Sequence, residues 1–357
     1  MARERFFLEL DPPEASLKSL PHVVIVGGGF AGLKACHALI GKPVRVTLID
    51  KRNFNLFQPL LYQVASGLVS KGDVASPLRQ MVGQAPNVQV LLGDSNGAAP
   101  GQPPRPPAFD LVIAADGPAS ATRAALGIRS WGWDYRQHCL TAEIELRGAP
   151  PDRAWEVFRP EGPMAVLPLG EGLAQLVWSA PASRCREREA LDPAAFLDRL
   201  SGVLPPPLEP DGLRDRPKAF PVGLRLASRL SRGRTLLVGE SAHRCHPVGG
   251  QGLNLCWRDV AELHRLACRA TAGRLAPERI GAAYSLRRLP DLLLVLLATD
   301  LLVRLHSNRQ PALLPLRRLA LALLARSRSL RRLVLGLMSD GLPTLPIGGG
   351  VGSLTPW

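Results

Sequence analysis

Val23-Val-Ile-Val-Gly-Gly-Gly-Phe-Ala-Gly32 is the stretch on which the reading of the whole chain turns. His22 to Val26 is a short apolar strand, and Gly27-x-Gly29-x-x-Gly32 turns it into a helix expected to run to about Ile40. Val44 to Ile49 is a second buried strand, ending at Asp50. Strand, helix and strand within about thirty residues make a βαβ unit, because parallel strands need a crossover. Gly27 permits the tight turn, Gly29 lets backbone N–H groups approach a pyrophosphate, and Gly32 lets helix and strand pack closely. The helix N-terminus supplies the positive end that phosphates need. Asp50, placed after the second strand, suits ribose hydroxyls and disfavours a 2′-phosphate, so the turn fits FAD or NAD. Gly28, Lys51 and Arg52 lie beside these positions and complete the first group of cofactor-facing candidates.

Outward from this unit, Val74 to Val82 reads as a helix and Val88 to Leu92 as a strand. Gly97 to Pro107 is a Pro-rich loop, since proline continues neither element. Phe109 to Ala115 is another buried strand. Residues 139–181 alternate in the manner of strands, over Leu140 to Leu146, Ala154 to Phe158, Ala165 to Leu169 and Leu173 to Ser179. Thr235 to Val238 is a strand entering a second glycine-rich stretch, and Gly252 to about Ala272 is helical. Leu286 to Met338 is helical and rich in Leu and Arg. The expected class is α/β: a Rossmann-like dinucleotide-binding domain with an inserted β-rich domain and C-terminal helices. The boundaries are an extension (1–21), a dinucleotide-binding part (22–128), a β-rich insert (129–227), a return segment (228–290), basic helices (291–338) and a disordered tail (339–357).

At 357 residues the chain can bury a sizeable core. Its six cysteines show no C-x-x-C pair and no disulfide-framework spacing, so they read as reduced thiols in a cytoplasmic protein. Residues 1–21 lack the basic start and apolar core of a signal peptide. The most apolar run, Leu292 to Val303, is short and carries Asp300, so no membrane span is expected. The net charge is +14, and residues 258–338 hold fifteen Arg against five acids, a surplus of 15 − 5 = +10. Such a block implies an anionic partner.

The second stretch that carries chemistry is Leu236-Leu-Val-Gly-Glu-Ser-Ala-His-Arg-Cys-His-Pro-Val-Gly-Gly-Gln-Gly-Leu-Asn-Leu-Cys-Trp-Arg-Asp259. It closely resembles the flavin-binding return segment of aromatic-ring flavin monooxygenases, best of all the branch that hydroxylates ubiquinone precursors. The resemblance implies FAD, with Gly239 and Glu240 at the ribityl chain and Pro247, Gly249, Gly250, Gln251, Gly252, Leu253 and Asn254 beside the ring and pyrophosphate. Glu240 stands where the family has Asp, and Cys256 where it has Gly. Asp110-Leu-Val-Ile-Ala-Ala-Asp-Gly-Pro-Ala-Ser-Ala-Thr-Arg123 looks like the family's Asp-Gly motif, which makes Asp116 and Gly117 further cofactor-facing candidates. His243, Cys245 and His246 are closely spaced, but no second cluster completes a tetrahedral metal site, so no metal is expected.

Residues 22–94 resemble a different family. Lys51-Arg-Asn-Phe-Asn-Leu-Phe-Gln-Pro-Leu-Leu-Tyr-Gln-Val-Ala-Ser-Gly67 and Asp73-Val-Ala-Ser-Pro-Leu-Arg79 look like the N-terminal FAD region of type II NADH:quinone dehydrogenases. The second nucleotide fold of those enzymes has no counterpart here. Only 66 positions separate Asp50 from Asp116, an interval that is much longer in the hydroxylases. Three readings follow: an FAD-dependent monooxygenase using NAD(P)H and O₂ on a lipophilic phenol or quinone precursor; a type II-like quinone reductase; and a non-catalytic flavin- or membrane-binding remnant. No catalytic protein side chain is assigned.

Read as one helix, Leu316 to Met338 gathers Arg317, Arg318, Arg328, Arg331 and Arg332 on one face. This predicts a peripheral seat on the inner membrane surface, against the alternative of a helix packed on its own domain with solvated arginines. Nucleic acid is not expected as a partner, because the stretch has no aromatic residues to stack on bases.

Overall fold

The computed structural model describes residues 19–56, 75–83, 85–93 and 109–342. In chain order, β1 (His22–Val26), α1 (Phe30–Leu39) and β2 (Arg45–Asp50) form the expected βαβ unit. They are followed by β3 (Phe54–Leu56), β4 (Ala75–Pro77), the one-turn α2 (Leu78–Met81), β5 (Val88–Leu92), β6 (Leu111–Ala114) and α3 (Ala121–Ala125). Next come β7 (Ser130–Arg147), β8 (Trp155–Arg159), β9 (Gly162–Gly170), β10 (Leu173–Pro181), α4 (Ala182–Glu189), α5 (Pro193–Ser201), β11 (Glu209–Leu213) and β12 (Lys218–Ala227). The chain then returns through β13 (Ser231–Arg232), β14 (Thr235–Leu237) and β15 (His243–Arg244). It ends in α6 (Gln251–Thr271), α7 (Ile280–His306), α8 (Leu314–Arg326) and α9 (Arg328–Ser339).

Two sheets organise these elements. The first runs β13-β14-β6-β1-β2-β5, parallel throughout except at the β13–β14 hairpin. Its inner strands are buried on both faces, which explains why Val23, Val24 and Ile25, or Leu111, Val112 and Ile113, are continuous apolar runs. α1 and α6 pack together beside it and share its core through Ala35, Cys36, Leu255 and Leu263. The second sheet is antiparallel, ordered β15-β12-β7-β10-β9-β8, with β11 also paired to β7. Its core centres on Leu140, Ile144, Leu176, Trp178 and Phe196.

The return segment ties the sheets together. β14 pairs with β6 in the first sheet, while β15 pairs with β12 in the second. The insert therefore leaves the nucleotide-binding sheet after β6 and re-enters it one strand away.

Several expectations need correction. Residues 75–82 are a short strand and a single helical turn, because Pro77 disfavours helical backbone at Ser76. β7 begins at Ser130, well before Cys139, and bends where Arg136 adopts φ 54°. The helices α4 and α5 were missed; Asp192 caps α5 by accepting from the Ala195 N–H, with Pro193 in the first turn. The helical region 286–338 is divided: α7 ends at His306, Pro311 precedes α8, and Ser327 starts α9 by accepting from the Leu330 N–H. Asp340 to Leu342 are held by the fold, the Leu342 N–H donating to Asp291. The extension before residue 19, segment 57–74, the Pro-rich loop and the tail from 343 lie outside the described residues.

Phe196 is fully enclosed in the second core. Phe196→Ala should cost about 3–5 kcal/mol, the usual range for emptying a buried aromatic site, measured as a lower urea midpoint at unchanged slope.

Candidate functional site

The C-terminal ends of β1, β6 and β14 lie side by side, and each opens into one of the three candidate segments: Gly27–Gly32, Asp116–Gly117 and Gly239–Asn254. Open parallel sheets bind ligands at this edge. The sequence spreads these residues over 228 positions, from 27 to 254; the topology brings them to one edge.

The first turn has little tolerance on one side and space on the other. A Cβ at Gly27 would lie 2.4 Å from the Ala115 carbonyl oxygen, and one at Gly32 would lie 1.8 Å from the Gly27 oxygen. A Cβ at Gly29 would meet nothing within 4 Å. Gly29 also begins α1 without a side-chain cap. Open space at a helix N-terminus fits a pyrophosphate. Asp50 accepts from the Gly28 N–H at 2.5 Å and the Arg52 N–H at 2.7 Å, which orients its carboxylate at the turn. The side chains of Lys51 and Arg52 are exposed. Buried Asn55, which sequence reading passed over, donates to the Gly28 oxygen at 2.6 Å and fixes the turn from beneath. No periodicity or spacing marks that residue.

In the Asp-Gly segment the side chain of Asp116 is held from within. Both carboxylate oxygens of Asp116 are engaged inside the chain, one by the Ser120 hydroxyl at 2.6 Å and the other by the Thr122 N–H at 2.9 Å. Asp116 thus anchors α3, and the open position beside it is Gly117, at φ 82°. Arg123 donates to the Ser241 and Pro118 oxygens, stapling this segment to the return strand.

In the return segment Glu240 is exposed at the head of a 3-10 turn, Gly239–Ser241. A Cβ at Gly239 would stand 3.1 Å from the Cys256 sulfur and 3.0 Å from Ala31. The thiol that replaces the family glycine therefore fills a packed space between α1 and α6. Burial drives the Cys256 thiol far above its usual range and pushes Cys245 up to about 12. Pro247 leads into Gly249 and Gly250, both at positive φ, and then into α6, again without a side-chain cap. Gly252 is open and Leu253 half-buried.

Gln251 and Asn254 both have partners within the chain. Gln251 is buried, donates to the Gly249 oxygen and accepts from Arg258, so it shapes the loop from within. Asn254 donates to the Met338 oxygen at 3.5 Å.

Beneath the loop lies an ionic network. Asp259, wholly buried, accepts from the Gly239 N–H at 2.9 Å, His243 Nε2 at 2.7 Å and Arg288 Nε at 2.7 Å. Arg288 continues to Asp291, and Asp291 to Arg258. Burial alone would raise the Asp259 carboxyl, but His243 and Arg288 outweigh it and hold it below the ordinary carboxylate range. His243 is thus committed to Asp259. Fully buried His246 accepts from the Val248 N–H at Nδ1 and stacks edge-on to Tyr135, and burial lowers it to about 4.

Residues 108–291, just over half of the chain, match the FAD binding domain family. The chain belongs to that family. FAD is therefore its dinucleotide, and the open Gly29, the two uncapped helix N-termini and the exposed Glu240 are compatible with that group. Residues 21–100 match a different family, the pyridine nucleotide-disulphide oxidoreductases. The two matches meet between residues 100 and 108, and the first does not single out the type II quinone dehydrogenases.

Among curated relatives, human ubiquinone biosynthesis monooxygenase COQ6 is 31% identical over 274 residues, covering 66% of this chain and 56% of that protein. The 3-demethoxyubiquinol 3-hydroxylase of Escherichia coli is 33% identical, covering 62% and 57%. Ubiquinone hydroxylase UbiL of Rhodospirillum rubrum is 36% identical, covering 67% and 55%. The chain thus spans little more than half the length of these relatives. The fold is shared with PqsL of Pseudomonas aeruginosa, a probable FAD-dependent monooxygenase, at TM-score 0.61 and 21% identity over 81% of this chain and 98% of that one. It is shared also with p-nitrophenol 4-monooxygenase PnpA of Pseudomonas putida, at TM-score 0.63 and 18% identity over 90% and 98%.

Two substitutions separate cofactor binding from folding. Gly29→Leu points into open space at ordinary φ, so the melting temperature should stay near that of the parent. FAD affinity should fall at least about tenfold, roughly 1.4 kcal/mol, as read by flavin fluorescence titration. Asp259→Asn removes the buried charge that faces His243 and one of the two carboxylates that hold Arg288, and should cost about 3–5 kcal/mol in urea unfolding. Because the Asp259 carboxyl is depressed in the fold, its stabilisation is present above the unfolded carboxyl range and is lost as pH falls through the lower folded value. The parent should therefore lose stability below about pH 4 more steeply than the variant.

Proposed function

We infer that the protein is an FAD-dependent monooxygenase that hydroxylates an aromatic quinone precursor with NAD(P)H and O₂. The observation that carries this reading is the meeting of the Gly27–Gly32 turn and the Gly239–Asn254 return segment at one sheet edge, with the antiparallel sheet beside it. Named relatives that hydroxylate ubiquinone precursors support the substrate class.

In this proposal the turn and the start of α1 hold the pyrophosphate, and Asp50 faces the ribose. Gly239 and Glu240 face the ribityl chain, and the loop from Pro247 to Gly252 lines the ring. Glu240 reaches one methylene further than the family's Asp, so it would approach from the exposed head of its turn. Bound FAD would accept reducing equivalents from NAD(P)H and, with O₂, supply the oxygen atom to the ring. The chain's own part is to orient the two rings and to exclude water. Neutral His246 and Tyr135 form part of the wall behind the loop. The basic helices α8 and α9 would seat the molecule peripherally on the membrane in which a lipophilic substrate dissolves.

Purified protein should carry FAD, visible in its absorption spectrum. NAD(P)H oxidation should rise with a phenolic quinone precursor, and mass spectrometry should find one oxygen from O₂ in the product. Oxidation without a hydroxylated product would sink the assignment. The match of residues 21–100 to the pyridine nucleotide-disulphide oxidoreductases is compatible with one alternative, a quinone reductase, which menadione-dependent NADH oxidation without oxygen uptake would reveal. Colourless protein that takes up no FAD would instead point to a non-catalytic remnant.

A further inference from the structure

α8 and α9 have no buried residue between them. Leu316 is 51% exposed, Leu319 56%, Leu333 59% and Leu335 61%. Isolated exposed leucines are ordinary, but two successive helices of them are not. Residues 301–339 also contain eight Arg and no acid.

The arginines do not form the single face that a continuous helix would give. The break at Ser327 resets the phase, and Arg317 turns back to donate to the Leu305 oxygen and to Asn308. α8 shows leucine on every side, whereas α9 is strongly amphipathic, with Arg328, Arg331 and Arg332 opposite Leu330, Leu333, Val334 and Leu337. A surface combining uncovered leucine with unopposed arginine fits the headgroup region of an anionic bilayer, where both are satisfied at once. A second copy fits less well, since it would bring like charge against like charge.

The far end of this arm lies on the cofactor-facing loop. The Met338 oxygen accepts from Arg258 at 2.9 Å and from Asn254. The Met338 methyl stands 3.1 Å from where a Cβ on Gly249 would be. At 100° per residue Met338 lies at the edge of the apolar side of α9, between Val334 and Arg331, and both Val334 and Met338 are half-buried. A bilayer that covers Val334 and receives Arg331 in its headgroups therefore competes with Gly249 for the Met338 side chain.

We propose that α8 and α9 dock on an anionic lipid bilayer, and that docking draws Met338 off Gly249 and unlatches the loop at residues 249–254. Lipid docking stands apart from the flavin reading, whereas the significance of the unlatching rests on that loop facing FAD. The test is hydrogen exchange and co-sedimentation of the full chain with phosphatidylcholine vesicles, with and without phosphatidylglycerol. Anionic vesicles should bind at least about tenfold more tightly than neutral ones. They should speed exchange of the 249–254 amides by roughly tenfold or more. Arg328→Glu, Arg331→Glu and Arg332→Glu together should abolish both effects, and Met338→Ala should speed exchange there without lipid. Equal binding to neutral vesicles would overturn the proposal. So would binding with unchanged exchange at 249–254, or a dimer in sedimentation velocity that conceals the arm. Failure to bind FAD would remove the cofactor reading and leave these exchange results standing.

Discussion

The carboxylate of Asp259 is the constraint on which the rest of the site depends. It sits wholly inside the molecule and binds a backbone N–H of the flavin-side turn, a histidine from β15 and an arginine from α7. A buried charge is costly unless paired, and here the pairing runs on through Arg288, Asp291 and Arg258. The flavin-side turn, β15, α6 and α7 are thus fixed to one another around one run of alternating charges. Gly239 is held both by that network and by its packing against Ala31 and Cys256.

What the sequence revealed and what it concealed divide along physical lines. The βαβ unit was legible because buried parallel strands are continuous apolar runs and because Gly27 and Gly32 answer to steric demands that only glycine meets. The place of Asp50 beside the turn was legible because it ends the second strand, and there it accepts from the Gly28 N–H. Asn55 and Arg288 were not, since a side chain that supports a turn from beneath carries no periodic signature. Asp116, Gln251 and Asn254 also hold partners within the chain that no motif shows, since a motif marks where a residue lies, while only the fold shows which partner its polar atoms already have. The break at Ser327 escaped notice because its N-cap is one hydroxyl within an unbroken Leu and Arg pattern.

The chain unites a nucleotide-binding start of one family with the flavin-side return of another, and its match covers little more than half the length of its hydroxylase relatives. The join works because both parts use the same edge of the same parallel sheet, with β14 laid against β6 and β6 against β1. Cys256 illustrates the adjustment: a sulfur occupies the space where Gly239 and Ala31 approach α6, and the contact stays within packing distance.

The thiols carry a consequence for chemical durability. A flavin that meets O₂ releases some peroxide, and peroxide attacks sulfur in its ionised form. Cys245 and Cys256 flank the cofactor-facing loop, yet burial holds both thiols well above their usual range, and Cys36 within α1 is pushed up to about 12 in the same way. Peroxide released beside this loop therefore meets sulfur in its protonated, slower-reacting form.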